Sequence, residues 1–250
     1  MKTSSLILAL LLFATALHAA PGPAALIAQG DVLDAKEKTQ EALKAYLEAE
    51  KAGADGADFH IKIAKEYGES MTDCKSSADQ IKAGQNALAY AKRALKEAPD
   101  LSDANLAIAI CYGRLLNLMP AKTEVEYSRY VHEYAQKAVK LDSRSDYAWH
   151  MLGRWNQAVA TMGGFTRGLV AVVYGSLPDA SLEKSKECFE KALKLKPGRL
   201  VHHIELGRTL AFMGRKAEAK KEIEEGLAMS NKERDDPQSK QRGRETLKTL

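Results

Sequence analysis

Apolar and small residues recur along this chain with the spacing of amphipathic helices, in paired segments of about 34 residues. The clearest segment places Trp149, Leu152 and Gly153 on one helical face, and a later segment repeats the pattern with Leu206 and Gly207. Small residues let two helices approach closely, and large ones fill the space beside them. No segment alternates apolar and polar residues as a half-buried strand does. The pattern therefore predicts an all-α chain.

The second half of each segment strengthens this interpretation. In the last segment Ala219, Ile223 and Gly226 follow at the spacing of the second helix of a tetratricopeptide repeat. Tracing the pattern along the chain predicts about five helix pairs, beginning near Pro23, Ala57, Pro99, Asp146 and Leu200. We predict a tetratricopeptide-like helical-repeat solenoid over residues 21–231.

The end of the chain departs from the repeat pattern and is rich in charge. Asp236 and Pro237 read as an N-cap followed by proline at the first helical position, which predicts one more helix toward Leu250. Solenoids need a polar outer face on their terminal unit to stay soluble. We therefore expect residues 232–250 to form a charged C-terminal capping helix.

Residues 1–20 have the composition of a targeting segment. Lys2 precedes the apolar run Leu6–Leu17, and Ala19 and Ala20 provide small residues before Pro21. The run is shorter than the roughly 20 residues that span a bilayer. We expect a cleaved signal peptide and a secreted or periplasmic protein without an integral membrane span. The alternative is a chain that stays membrane-anchored through residues 1–20.

Composition and the absence of known motifs argue against several classes of function. The net charge of +4 over 250 residues is too mild to indicate nucleic-acid binding. Cys74, Cys111 and Cys188 are widely spaced and form no CxxC pair, so we expect small packing residues, and one disulfide stays open as an alternative. The chain has no HExxH, GxSxG or phosphate-binding glycine motif, and His150 and His202–His203 lie outside any metal-ligand spacing. We expect no catalytic residue, cofactor or metal.

The fourth and fifth segments carry a more specific likeness. It consists of the run His150–Trp155, an insertion Gly163–Tyr174 where ordinary repeats have a short turn, Ser176–Ser181, Phe189 with Ala192, and Pro197–Gly198. In these features the chain resembles the regulator of microtubule dynamics protein family. The likeness covers Tyr127–Asn231 well and the region from Ala24 more loosely, as repeats.

The resemblance implies a non-catalytic, helical-repeat binding protein. Eukaryotic members of that family associate with microtubules or with organelle membranes and contact sites, and the family supplies no catalytic residues. A cleaved signal peptide would place this chain where there is no tubulin. Microtubules are therefore an expected partner only if the protein faces the cytosol.

The insertion itself is apolar from Leu169 to Tyr174. We expect this run to pack on the outside of the fourth repeat. The alternative is a patch that contacts a membrane or a partner protein.

In a tetratricopeptide solenoid the first helix of each pair lines a concave face, and partners bind there. The residues at lining positions predict the binding surface: Arg114, Tyr147, His150, Arg154, Gln157, Arg208 and Phe212. Among them Arg114, Arg154 and Arg208 would form a basic ladder, which suits an acidic peptide because arginine binds carboxylates in a bidentate manner. The alternative is that Arg154 and Arg208 pair with Glu187 or Glu205 and only brace the stack.

Together these features predict a non-catalytic, exported protein-interaction scaffold that binds a peptide or protein partner in its concave groove. The second hypothesis is a membrane-anchored, microtubule-associated or organelle-tethering protein.

Overall fold

A computed structural model describes residues 21–250, and the expected signal peptide lies outside the described residues. Within this range the chain folds into helices joined by short turns, and no strand is present in it. The helices are α1 (Pro23–Asp34), α2 (Thr39–Lys51), α3 (Ala57–Ser70), α4 (Ser77–Glu97), α5 (Ser102–Leu115), α6 (Ala121–Leu141), α7 (Asp146–Thr161), α8 (Gly164–Tyr174), α9 (Leu182–Leu195), α10 (Leu200–Phe212), α11 (Lys216–Ala228) and α12 (Asp236–Leu247). The prediction of an all-α chain is confirmed.

Five antiparallel pairs build the stack: α1 with α2, α3 with α4, α5 with α6, α7 with α9, and α10 with α11. Serines start several of these helices, since the hydroxyl oxygens of Ser76, Ser145 and Ser181 each accept a hydrogen bond from a backbone amide three residues on. Pro99 and Pro197 follow the ends of α4 and α9 and prevent the helices from continuing. The predicted helical-repeat solenoid is confirmed.

Glycines set the distance between the paired helices. A Cβ atom at Gly153 would lie 2.8 Å from the ring of Phe189, and one at Gly207 would lie 2.6 Å from Ile223. Both Phe189 and Ile223 are completely buried. Each glycine therefore allows a large residue of the second helix to lie directly against the backbone of the first.

Three insertions interrupt the repeat spacing in different ways. Short 3-10 turns, Met71–Asp73 and Leu116–Leu118, follow α3 and α5, and the next helices α4 and α6 are each lengthened to 21 residues. The third insertion forms the separate helix α8, which lies against α6.

The expectation that the apolar run of α8 packs on the fourth repeat is wrong for much of its surface. Phe165 is 87% exposed and Val172 is 86% exposed, while Leu169 and Val173 are more than half exposed. Among the described residues, no helix is long and apolar enough to cross a membrane.

The C-terminal region contains a helix, but not over the whole predicted range. Helix α12 packs on α10 and α11, and Gly243 lies close to Ile204 and Ile223. Residues 232–235 precede it as a non-helical segment. Asp236 is the first helical residue rather than the N-cap, and its carboxylate turns back to accept hydrogen bonds from the backbone amides of Lys232 and Glu233. The Asp236 carboxylate thus shapes the segment before the helix.

Candidate functional site

A cavity of about 480 Å³ lies on the concave side of the stack. Its floor comes from the first helices of the second and third pairs and is apolar: Ile61, Ala64, Leu106, Ala107, Ile110 and Cys111. Charged residues of both signs surround that floor, among them Asp34, Glu69, Arg114 and Arg199. The cavity thus offers an apolar surface with charges of both signs around it.

Asp34, Glu66 and Glu69 form an acidic cluster with one lysine, Lys65, among its three carboxyl groups. The ammonium of Lys65 lies 2.5 Å from an oxygen of Asp34, 3.8 Å from Glu66 and 3.7 Å from Glu69. Glu66 is fully buried, and neither of its oxygens has a hydrogen-bond partner. Burial, together with the neighbouring Asp34 and Glu69 carboxylates, raises the pKa of Glu66 to about 8. Glu66 is therefore largely protonated at neutral pH.

One wall of the cavity is the segment Lys232–Asp235, which we call the strap. Asp235 accepts a hydrogen bond of 2.7 Å from the guanidinium of Arg114 on α5. Glu233 accepts one of 2.6 Å from Arg199, which precedes α10. The carboxylates of Asp235 and Glu233 therefore neutralise Arg114 and Arg199, two of the arginines that line the cavity.

Arg234, the third residue of the strap, points toward the first repeats of the stack. Arg234 donates hydrogen bonds to Asp73, to the hydroxyls of Thr39 and Thr72, each at 3.1 Å, and to the carbonyl oxygen of Glu37. These acceptors lie around the start of α2 and the turn after α3. The strap thus connects the last repeats to the first ones across the concave side.

A buried carboxylate organises the inner face farther along the stack. Glu205 is fully buried on α10 and is paired with Arg208 at 2.6 Å, Arg242 at 3.0 Å and Arg154 at 3.6 Å. Burial alone would raise its pKa, but the three guanidinium groups lower it below the usual value. Glu205 is therefore ionised, and it holds α7, α10 and α12 together.

A chain of hydrogen bonds connects the core to the strap. His150 and His202 approach each other through their Nδ1 atoms at 3.1 Å, and Nε2 of His202 lies 2.9 Å from Asp146. Asp146 also pairs with Arg199, which holds Glu233. Burial lowers the pKa of both histidines, which favours neutral rings. In that state Nε2–H of His202 donates to Asp146, its Nδ1 accepts, and Nδ1–H of His150 donates.

The predicted binding residues divide into separate groups in the structure. Arg114 and Tyr147 line the cavity, as expected. His150 and Gln157 are 2% and 5% exposed, so the expectation that they line the surface is wrong. Gln157 instead donates hydrogen bonds to Thr209 and to the carbonyl oxygen of Glu205. A tight helix crossing buries both side chains.

The other predicted residues lie outside the cavity lining. Arg154 and Arg208 both pair with Glu205, which agrees with the alternative that these arginines brace the stack. Phe212 is 51% exposed near the end of α10. No single ladder of free arginines exists in this arrangement. Whether any of these residues contacts a partner stays a prediction.

Sequence reasoning missed Arg199, Arg234 and the strap carboxylates. The signal that was available is the run Lys232–Asp236, in which charges alternate without an apolar residue. Such a run usually forms a solvated surface, and only the tertiary structure places it on the groove.

Within residues 21–250, three groups of side chains have potential metal-ligand atoms within 4.8 Å of one another: Asp55 with His60 and Glu97, His203 with Glu222 and Glu225, and Asp34 with Glu66 and Glu69. In the last group the Lys65 ammonium already lies among the carboxylates. In the second, Nδ1 of His203 lies 2.9 Å from Glu222, so an ordinary hydrogen bond accounts for the contact. None of the three points to a particular metal.

A second depression, of about 570 Å³, lies between α6, α7 and α9, and residues such as His132, Trp149 and Lys191 line it. The concave cavity is the stronger candidate because the strap encloses it and charges of both signs surround its apolar floor.

Comparison with known proteins agrees with the fold and with the family likeness. The sequence model of the family described as regulator of microtubule dynamics protein 1-3 matches residues 26–250. The chain belongs to this family. The matched range includes the inserted helix α8, the strap and α12.

Individual relatives are distant. Regulator of microtubule dynamics protein 1 of Mus musculus is 27% identical over 188 residues, which cover 74% of this chain and 60% of that protein. Regulator of microtubule dynamics protein 2 of Bos taurus is 22% identical over 176 residues, which cover 70% of this chain and 43% of that protein. The chain thus spans less than two thirds of the length of these relatives.

Among solved structures, a tetratricopeptide-repeat protein of Thermus thermophilus superposes with a TM-score of 0.64 at 14% identity, covering 90% of this chain and 99% of that one. At this identity the likeness concerns the fold alone. Helical-repeat folds of this kind are typical of protein-interaction scaffolds.

Proposed function

We propose that this chain is a non-catalytic, exported interaction scaffold that binds a peptide segment of a partner protein in its concave cavity. The observation that carries the proposal is the cavity itself. It combines an apolar floor, formed by residues such as Ile61, Leu106 and Ile110, with arginines and carboxylates around it. An apolar surface with a few charged groups around it gives both affinity and orientation to a bound segment.

A cavity-filling variant tests this proposal. Ala107 lines the floor, so Ala107→Phe places a ring where the partner segment would lie. Ala89→Phe adds the same ring to an exposed position of α4 and serves as the matched control. We expect Ala107→Phe to reduce partner capture from the native compartment at least about tenfold, while Ala89→Phe captures as the parent does.

Circular dichroism and a thermal melt establish that both variants fold. Equal capture by a folded Ala107→Phe variant and by the parent would place the binding surface elsewhere and refute the proposal.

Export rests on the composition of residues 1–20, and the second candidate function depends on the same segment. If those residues are retained, the domain would be tethered to a membrane and could serve as an organelle tether or a microtubule-associated protein, in line with the names of its relatives. Mass spectrometry of the native protein decides between the two. We expect an N-terminus near Ala20 or Pro21, and an intact Met1 on a membrane-bound chain would favour the tether.

A further inference from the structure

The strap already makes, within the molecule, the contacts that a bound segment would make. Its carboxylates Glu233 and Asp235 pair with Arg199 and Arg114, and the strap forms a wall of the cavity. We propose that the strap is an internal substitute for the partner, and that the partner displaces it by presenting two carboxylates, two residues apart, to Arg114 and Arg199. This inference rests on the proposed function and specifies the chemistry of the partner.

Burial explains why these arginines need carboxylates at all times. The side chains of Arg114 and Arg199 are only 24% and 18% exposed, so a guanidinium left without an acid there would be poorly solvated. Arg199 keeps Asp146 at 2.5 Å even without the strap, whereas Asp235 is the carboxylate that pairs directly with Arg114. A segment that replaces the strap must therefore bring at least the carboxylate that Arg114 requires.

The strap carboxylates are accessible to a competitor. Asp235 and Glu233 are 36% and 38% exposed, so water and an incoming carboxylate can reach them. Exchange of one carboxylate for another at the same guanidinium keeps the hydrogen bonds of the arginine. Displacement also breaks the contacts of Arg234 with the first repeats, so the segment that replaces the strap best supplies a base in place of Arg234.

The remaining charges indicate that the partner segment is not purely acidic. Asp34 and Glu69 also line the cavity and would repel further carboxylates. In the strap itself the cation Arg234 stands between the acids Glu233 and Asp235, and it pairs with Asp73. The segment that fits best has the order acid, base, acid.

The probe is a capped peptide with the sequence of residues 230–236, Ser-Asn-Lys-Glu-Arg-Asp-Asp, labelled with a fluorophore. A control peptide carries Gln and Asn in place of its Glu and Asp residues. The protein variant Glu233→Gln/Asp235→Asn keeps the shape of the strap but removes its hold on the arginines. We expect this variant to bind the acidic peptide at least about tenfold more tightly than the parent does, because a larger fraction of molecules has a free site.

Two further results are required of the same titration. The control peptide should bind the released variant at least about tenfold more weakly than the acidic peptide. Adding Arg114→Gln to the Glu233→Gln/Asp235→Asn variant should abolish the gain in affinity for the acidic peptide. Binding of that peptide should also weaken as the salt concentration rises. Equal binding of the two peptides, or an unchanged affinity after release of the strap, would overturn the proposal.

A measurement on the unaltered chain covers the case in which the variants fold poorly. The backbone amides of Lys232 and Glu233 donate to Asp236 while the strap is docked. Saturating acidic peptide should accelerate hydrogen exchange at these amides, and unchanged exchange at saturation would contradict displacement. If Ala107→Phe blocks partner capture while the strap variants bind the peptide as the parent does, the scaffold function stands and the strap proposal fails.

Discussion

At the scale of single residues, the helix crossings depend on glycines, which have no side chain to keep the two helices apart. Gly153 and Gly207 occupy equivalent positions in the fourth and fifth pairs, and each faces a completely buried apolar side chain. The cores are closely packed, so neither Phe189 nor Ile223 has space to retreat. Glycine at these positions is therefore a requirement of packing between helices.

We predict that Gly153→Ala lowers the free energy of unfolding by about 1–3 kcal/mol, because the new Cβ would lie 2.8 Å from the ring of Phe189. Gly168→Ala in α8 is the matched control, since no atom lies within 4 Å of its added Cβ. Chemical denaturation measures both. An unchanged Gly153→Ala protein would mean that the crossing is looser than described.

The buried histidine pair gives the molecule a pH dependence. Burial, the neighbouring His202, and Arg154, Arg242 and Arg199 lower the pKa of His150 well below 6.5, and burial also lowers that of His202. The folded state therefore favours the neutral rings, while the unfolded chain takes up protons near pH 6.5. The stability that the histidine pair contributes is fully present above about pH 6.5 and decreases as the pH falls below it.

We predict that the histidine pair lowers the free energy of unfolding at pH 5 relative to pH 7.5, measured by urea denaturation as the difference between the parent and His150→Leu, because the raised pKa of Glu66 acts in the opposite direction in both proteins. A ring that stays neutral in the folded state contributes about 1.4 kcal/mol for each pH unit below 6.5. His150→Leu should lose part of this dependence because it removes one of the two titrating rings. A His150→Leu variant with the full dependence would assign it to other groups.

At the scale of elements, one buried carboxylate joins three helices. Glu205 pairs with arginines of α7, α10 and α12, so the capping helix is fastened by charge as well as by apolar contact. Three guanidinium groups around one acid leave an excess of positive charge if that acid is removed.

We predict that Glu205→Gln lowers the free energy of unfolding by about 3–5 kcal/mol, because it breaks a buried ion-pair cluster and leaves its arginines without a counter-charge. Glu224→Gln is the control, since Glu224 is exposed and its lysine lies 3.9 Å away. We expect no measurable change there. Thermal melts of both variants test the difference, and equal melting temperatures would refute it.

The helix α8 behaves differently, because its apolar face is not part of the core. Phe165 and Val172 are more than four-fifths exposed. We predict that Phe165→Ser/Val172→Ser changes the free energy of unfolding by no more than about 0.5 kcal/mol, as ordinary surface substitutions do. Chemical denaturation measures the change. A clear loss of stability would show that α8 packs on the body of the protein after all.

At the scale of the whole molecule, the strap joins the two ends of the solenoid. Repeat proteins contact mainly their neighbours in sequence, yet Arg234 bonds to residues of the first repeats, more than 160 positions away. This connection closes the concave side and turns an open groove into a walled cavity.

We predict that Arg234→Ala lowers the free energy of unfolding by about 1–3 kcal/mol and accelerates hydrogen exchange around Glu37–Thr39 and Thr72–Asp73, because it removes the charged donor that these groups share. Arg144→Ala is the control, since Arg144 is 88% exposed and pairs only with its neighbour Asp142. If exchange at the first repeats does not change, the two ends are not coupled.

The sequence by itself determined the helices, their pairing and the crossings. These depend on local spacing, which places Gly153 beside Phe189 and Gly207 beside Ile223 in any stack of such pairs. The family likeness follows from the same residues with the insertion Gly163–Tyr174. Spacing within one repeat is sufficient here, because each helix packs mainly on its neighbours in sequence.

Only the tertiary structure decided which charged residues face the cavity. The pattern assigned His150 and Gln157 to the inner surface, but the close approach of α7 and α10 buries them. Arg199 and the strap were not identified, because a run of alternating charges does not specify where it docks. Contacts between the two ends of the chain depend on the curvature of the whole stack, which accumulates over all the repeats and has no local signature in the sequence.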